Sequence, residues 1–201
     1  MKKFLLVLTV SLMFFGMMSA AEAVVIDFES IAIGDYSAPL VFGDFTITDV
    51  DNSFQVLSSS PGWPISGNVL YNSNSPDYTI EPWLVDFSIG NVNYFSIGVG
   101  DFNADYDNTY LEAYDSLDNL LASDYYQNPS STYGGDYLTV LTTTPISYVK
   151  FWDAEPYPGA VYWDNLTYET QSQPPIPEPA TMLLLGSGLL GLFGFKRKRK
   201  V

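Results

Sequence analysis

From Val24 to about Thr170 the chain is written in short runs of Val, Ile, Thr, Tyr, Phe and Trp, broken every few residues by Gly, Pro, Asn, Asp and Ser. Branched and aromatic side chains suit the half-buried pleat of a strand, and the intervening residues suit turns. No window in this region sustains an apolar repeat of 3.6 residues, so helices are not expected there. Strands are predicted at 24–29, 44–50, 54–57, 68–71, 78–80, 84–89, 94–98, 110–114, 120–124, 137–141, 146–152 and 160–168. The stretch Asp115-Ser116-Leu117-Asp118-Asn119 reads as a hairpin connection between two of them. So many short strands in one domain-sized segment predict an all-β fold. We expect a two-sheet antiparallel β-sandwich of jelly-roll type rather than a barrel or a mixed fold. No repeat with a period of 20–50 residues is visible, which argues against a solenoid.

Residue types that are missing narrow the chemistry. The chain has no cysteine and no histidine. That removes a disulfide framework, Ser-His-Asp and Cys-His nucleophiles, and zinc sites built on His or Cys. Charge is lopsided as well. Of eight Lys and Arg, two lie near the N-terminus and five in the last six residues, leaving Lys150 alone between them. Of 23 Asp and Glu, all but Glu22 fall between Val24 and Phe195, where 22 acids against one lysine give a formal charge of −21. With no basic patch to neutralise phosphate, nucleic acid is not expected as a partner. Carboxylates crowded in this way repel one another, which bound divalent cations or a salty surrounding would relieve; the plain alternative is that they keep an exported protein soluble.

Both ends carry transport signals. Lys2 and Lys3 precede an apolar run from Phe4 to Met18, and Ala21-Glu22-Ala23 supplies a small-x-small cleavage site. Residues 1–23 are therefore expected to be a secretory signal peptide, with the exported domain at 24–170. Residues 171–176, Gln-Ser-Gln-Pro-Pro-Ile, read as a stiff polar linker. Behind it come Pro177-Glu178-Pro179, an uncharged run from Ala180 to Phe195, and the basic tail Lys196-Arg197-Lys198-Arg199-Lys200. An uncharged run stopped by cations is the pattern of a transmembrane helix with its basic end in the cytoplasm. The run is somewhat short of the ~20 residues that span a bilayer, a deficit that snorkelling Lys and Arg stems would cover.

The tripeptide Pro177-Glu178-Pro179, the entry Ala180-Thr181-Met182-Leu183-Leu184-Leu185-Gly186, the glycine-rich run and the basic tail resemble the PEP-CTERM sorting signal of Gram-negative envelopes. The same signal is known as the ice-binding protein C-terminal domain, a label that implies no antifreeze activity. The resemblance implies processing near Pro177, Glu178 and Pro179 by an exosortase, a membrane protease-transpeptidase. Several stretches of the middle resemble the carbohydrate-binding-like jelly rolls common among such proteins: Val25-Ile26-Asp27-Phe28-Glu29, the hairpin Tyr110 to Asp115 with Leu120-Leu121-Ala122, and Tyr162-Trp163-Asp164-Asn165-Leu166-Thr167-Tyr168. In related jelly rolls, acids of the first and last strands meet around a structural calcium. The resemblance places that role on Glu29 and Asp164, with Asp27 and Asn165 beside them. If both instead merely cap sheet edges, no ion is needed.

Two other features compete for a ligand. Asp101 to Glu112 carries oxygen-bearing residues at positions 1, 3, 5, 7, 9 and 12 in the order of an EF-hand loop. It has Tyr106 where the sharp turn needs glycine, and its flanks look like strands. A looser site on Asp101, Asp105 and Asp107, or a solvated acidic loop, fits the pattern better. Tyr and Trp stack on sugar rings and hydrogen-bond through their polar tips. Trp63 and Trp83 each stand beside a proline and are the candidates for exposure and glycan contact. Trp152 and Trp163, on predicted strands, are expected in the core, while Tyr125, Tyr126 and Tyr133 surround a polar loop. Together these features predict an exported, exosortase-sorted cell-surface or matrix protein. Its sandwich would be non-catalytic, structural or adhesive, bind calcium, and have exopolysaccharide as a partner. The alternative is a surface glycoside hydrolase or lyase working through a carboxylate pair.

Overall fold

The computed structural model describes residues 23–49, 54–71, 82–101, 106–128, 134–154 and 161–170. These residues contain thirteen strands and no helix: β1 (Ala23–Ile26), β2 (Gly34–Tyr36), β3 (Leu40–Val41), β4 (Phe45–Asp49), β5 (Phe54–Gly62), β6 (Ile65–Tyr71), β7 (Trp83–Phe87), β8 (Val92–Asp101), β9 (Asp107–Tyr114), β10 (Leu120–Asn128), β11 (Gly134–Ile146), β12 (Tyr148–Ala154) and β13 (Val161–Thr170). Every pairing is antiparallel. A seven-stranded sheet runs β11-β8-β13-β6-β5-β2, with β1 added on β13, and a six-stranded sheet runs β10-β9-β12-β7-β4-β3. The all-β sandwich expected from the pattern is the fold observed.

Alternation along the strands builds the interior. In β9, Leu111 and Ala113 are buried while Tyr110, Glu112 and Tyr114 face outward, the period of two that a half-buried strand imposes. The two inner faces meet in a chain of aromatic rings. Phe54 packs on Trp83 (centroids 5.1 Å apart), Trp83 stacks on Phe151 (5.9 Å), and Phe151 meets Trp163 (4.7 Å). Phe54 and Trp163 come from the seven-stranded sheet and Trp83 and Phe151 from the six-stranded one, so the core ties one layer to the other without a covalent bridge. The predicted hairpin is present too. Asp115 accepts hydrogen bonds at Oδ1 from the amides of Leu117 and Asn119 (2.8 and 3.0 Å), and Asp118 takes the left-handed conformation (φ 62°).

Some elements differ from their predicted form. β2 and β3 were not expected, since three and two residues leave too little pattern to read. The strand predicted at 78–80 lies outside the described residues. The one predicted at 24–29 stops at Ile26, because Phe28 adopts φ 57° and drops its ring into the core.

Candidate functional site: the seam between the first and last strands

β13 has two partners along one edge. β6 pairs with it at Tyr162 and Trp163, and β1 takes over from Leu166 to Glu169. Asp164 and Asn165 sit at the changeover. There β13 also shifts register against β8, and Asn165 turns left-handed (φ 52°) to make the bulge. The departure of β6 leaves amides of Ser66 and Asn68 without a strand partner on that side, and the two predicted acids supply the acceptors. Asp164 Oδ2 accepts from the Ser66 amide (3.1 Å), and Glu29 Oε1 accepts from the Asn68 amide (2.9 Å). Between them Gly67 (φ 80°) carries no side chain, and a Cβ there would lie 1.6 Å from Glu29 Oε1. Glu29 therefore lies against β6 only because that position is glycine.

The resemblance to related jelly rolls points to the two acids but not to Ser66, Gly67 and Asn68. A glycine inside a strand-like run was the available signal, since it marks a bulge or a close approach. Asp27 and Glu29 fall within the strand predicted at 24–29 but are not on β1, which stops at Ile26. Both follow its end, and the Glu29 amide donates to Asp27 Oδ1 (3.2 Å) across the Phe28 turn.

Burial pushes the Asp164 carboxyl up to about 6. The amides of Ser66 and Asn165 oppose the shift, and the charges of Glu29 and Asp27 add to it. A hard divalent cation would relieve such a cluster. Among the described residues, however, no three His, Cys, Asp or Glu side chains are grouped to hold a metal. A calcium here would take carboxylate oxygens from Glu29 and Asp164 and need backbone carbonyls or water for the rest of its shell. The oxygen donors suit the ion, but two side chains alone do not complete a site.

The seam also fixes the β5–β6 turn. Asn165 Nδ2 donates to the Pro64 carbonyl (2.9 Å). Pro64 is buried against backbone made bare by glycine: a Cβ on Gly135 would meet Val99 O at 2.4 Å and Pro64 Cδ at 2.6 Å. Trp63, across a cis peptide bond from Pro64, is left 69% exposed with its ring edge-on to Tyr137 (5.6 Å, 70°). The expected exposure of Trp63 is observed.

Trp83 is a correction. It is 1% exposed and stands in the centre of the aromatic core, because it opens β7 on the inward register and Pro82 merely precedes the strand. It cannot contact a glycan there. Trp163 is in the core as expected, whereas Trp152 faces outward, since Phe151 takes the inward position of β12. Tyr125 and Tyr126 lie within β10 rather than around a loop, and Tyr133 falls outside the described residues.

The EF-hand ordering also fails. Its second half is β9, with Glu112 paired across to Ser123 and Lys150, so no helix follows. Asp107 is buried, not solvated, and Asp105 is outside the described residues.

Residues 1–22 and 171–201 lie outside the described residues, and with them all but Ala23 of the expected signal peptide, the expected linker, Pro177, Glu178, Pro179, the run 180–195 and the basic tail. Among the described residues no helix is long and apolar enough to cross a membrane.

Comparison with known proteins separates the fold from the ends. No curated protein matches the chain. An arabinose-bound MgGH51 α-L-arabinofuranosidase is similar at 12% identity and TM-score 0.48; 71% of this chain is covered but only 25% of that one, so the chain spans about a quarter of its length. A DUF4465 family protein from Bacteroides caccae is similar at 11% identity and TM-score 0.45, covering 75% of this chain and 100% of that one. A family 29 carbohydrate-binding module is similar at 12% identity and TM-score 0.38, with 76% and 87% covered. These likenesses are too distant to carry an argument about ligand or activity. The C-terminal end is different: residues 175–199 match the PEP-CTERM protein-sorting motif, which implies export, anchored transit through the membrane and processing by an exosortase-type protease.

Proposed function

We propose that this chain is an exported protein of a Gram-negative envelope, held by its C-terminal segment until an exosortase-type protease acts near Pro177-Glu178-Pro179. It then serves at the cell surface or in an exopolysaccharide matrix as a non-catalytic structural or adhesive β-sandwich. The observation that carries the reading is the sorting motif at residues 175–199, standing behind a domain without histidine or cysteine. Two features of the sandwich support the adhesive part. Asp164 and Glu29 cap the nearby β6 amides of Ser66 and Asn68, a place where one bound calcium would lock the first and last strands together. Trp63, exposed on a turn fixed by Pro64 and Asn165, is a ready stacking surface for a sugar ring.

Cell fractionation tests the central part. The wild-type chain is expected in the surface or matrix fraction. Changing Pro177, Glu178 and Pro179 together to Ala should leave it in the inner membrane. Equal surface delivery of both forms would overturn the sorting reading. Polysaccharide hydrolysis lost on changing a carboxylate pair would overturn the non-catalytic one.

A further inference from the structure

The outer face of a solvated antiparallel sheet is normally polar. On the six-stranded sheet that rule fails over three neighbouring strands. Tyr125 of β10, Tyr110 of β9 and Trp152 of β12 are register partners in one cross-strand row. Tyr110 stacks on Trp152 (5.3 Å, 16°) and meets Tyr125 (4.9 Å, 40°). Their chain neighbours Leu111 and Phe151 supply the core, so the row itself owes nothing to the interior. Tyr125, on the edge strand, is 46% exposed.

The row is bordered by amides. Gln127 Nε2 donates to Asn108 Oδ1 (3.0 Å) and to the Tyr125 hydroxyl (2.7 Å), and that hydroxyl donates to Asn108 Oδ1 (2.8 Å). On its other flank Glu112 and Lys150 are register partners of opposite sign. Beyond them Tyr114 and Tyr148 stack (4.9 Å, 9°), with Lys150 Nζ 5.3 and 5.6 Å from the two ring centroids. Glu112 and Lys150 thus offset each other beside the row, while Asp118, which accepts from the Tyr148 hydroxyl (3.0 Å), and Asp86, the register partner of Tyr148, make the far end of this face acidic like the rest of the domain. Ring surfaces for C–H faces, set beside amide and phenol groups for hydroxyls, match an uncharged polyhydroxyl chain. An anionic polymer would be repelled by the rest of the domain.

We propose that the strip formed by Tyr125, Tyr110 and Trp152, with Asn108 and Gln127 at its border, is a binding surface for a neutral polysaccharide. It lies on the opposite side of the sandwich from Trp63. Tyr137, which braces Trp63, faces outward from the seven-stranded sheet while its neighbour Leu138 is buried. One molecule with both surfaces occupied would bridge two polysaccharide chains. The bridging step rests on the glycan reading of Trp63 given above, and the strip does not.

The test uses the full-length chain purified in mild detergent, with near-ultraviolet circular dichroism as the check on folding. Binding is measured by co-sedimentation with cellulose, by affinity electrophoresis in neutral β-glucan and mannan, and against alginate as the anionic comparison. The wild type is expected to bind at least one neutral polymer more tightly than alginate. Tyr125→Ala should weaken that binding about fivefold, Trp152→Ala similarly, and Tyr125→Phe less. Because Tyr125 is on an exposed edge, its variant keeps the test valid if Trp152→Ala fails to fold. No neutral binding, binding indifferent to Tyr125→Ala, or preference for alginate would each overturn the strip. So would a change confined to self-association, which would make it an interface between copies. Clumping of polysaccharide-coated beads reads bridging separately. Trp63→Ala should abolish clumping and leave attachment through the strip, whereas clumping that persists would remove the bridging role alone.

Discussion

Trp63 and Trp83 each adjoin a proline, yet only Trp63 is displayed to solvent. Trp83→Ala would empty the middle of the aromatic core and should lower stability by about 3–5 kcal/mol. Trp63→Ala should stay within about 0.5 kcal/mol, as for other surface changes. Denaturant unfolding of the two variants reads the contrast. Which ring of an adjacent pair turns inward was not legible in the sequence, since Phe151-Trp152 offers two aromatics of equal merit and strand register decides between them. Tyr168 shows a second effect of register. Its hydroxyl, carried on a buried ring, donates to Asp44 Oδ2 (2.6 Å), and burial followed by that carboxylate pushes its pKa up to about 12. The folded form therefore holds this proton more tightly than the unfolded chain does. Its contribution is complete below about pH 10 and is lost as pH rises through about 12. Tyr168→Phe should flatten the fall of the melting midpoint over that alkaline range, and an unchanged profile would contradict the assignment.

At the scale of elements, the strands with strong alternation and the Asp115 turn could be read directly because their determinants are local. The seam could not. Its geometry depends on where β6 leaves β13, and that is settled by residues about a hundred positions apart in the chain, Ser66 and Asp164 among them. Gly67→Ala would strain a left-handed position and displace the Glu29 carboxylate, at a cost of about 1 kcal/mol. Gly135→Ala should cost more, because its Cβ meets backbone as well as Pro64, and it should shift the Trp63 turn. Tryptophan fluorescence of the Gly135 variant against wild type would register that shift. If calcium joins the seam, saturating calcium should raise the melting midpoint by roughly 5–10 °C, since the ion would bind the native state alone. Glu29→Gln and Asp164→Asn should each remove most of the rise. A midpoint indifferent to calcium and chelator would leave the two carboxylates as caps for the amides of β6.

For the whole molecule, the sequence made the destination clearer than the ligand. Transport signals are contiguous stretches with a fixed order of charge, apolarity and proline, so the C-terminal motif could be recognised from its residues alone. A binding surface on a sandwich is assembled from strands that are distant in sequence, and the row of Tyr125, Tyr110 and Trp152 became visible only once register was known. The −21 formal charge between Val24 and Phe195 belongs to this scale too, keeping the exported domain apart from anionic polymers whatever its fold. On the proposed sorting route the chain is cut at both ends on its way to the surface. Intact-mass spectrometry of the protein recovered from the cell surface tests it most directly. The expected species begins at Val24 and ends near Pro177-Glu178-Pro179, with any attached group as an added mass. A surface species that retains the apolar run from Ala180 to Phe195 and the basic tail would contradict it.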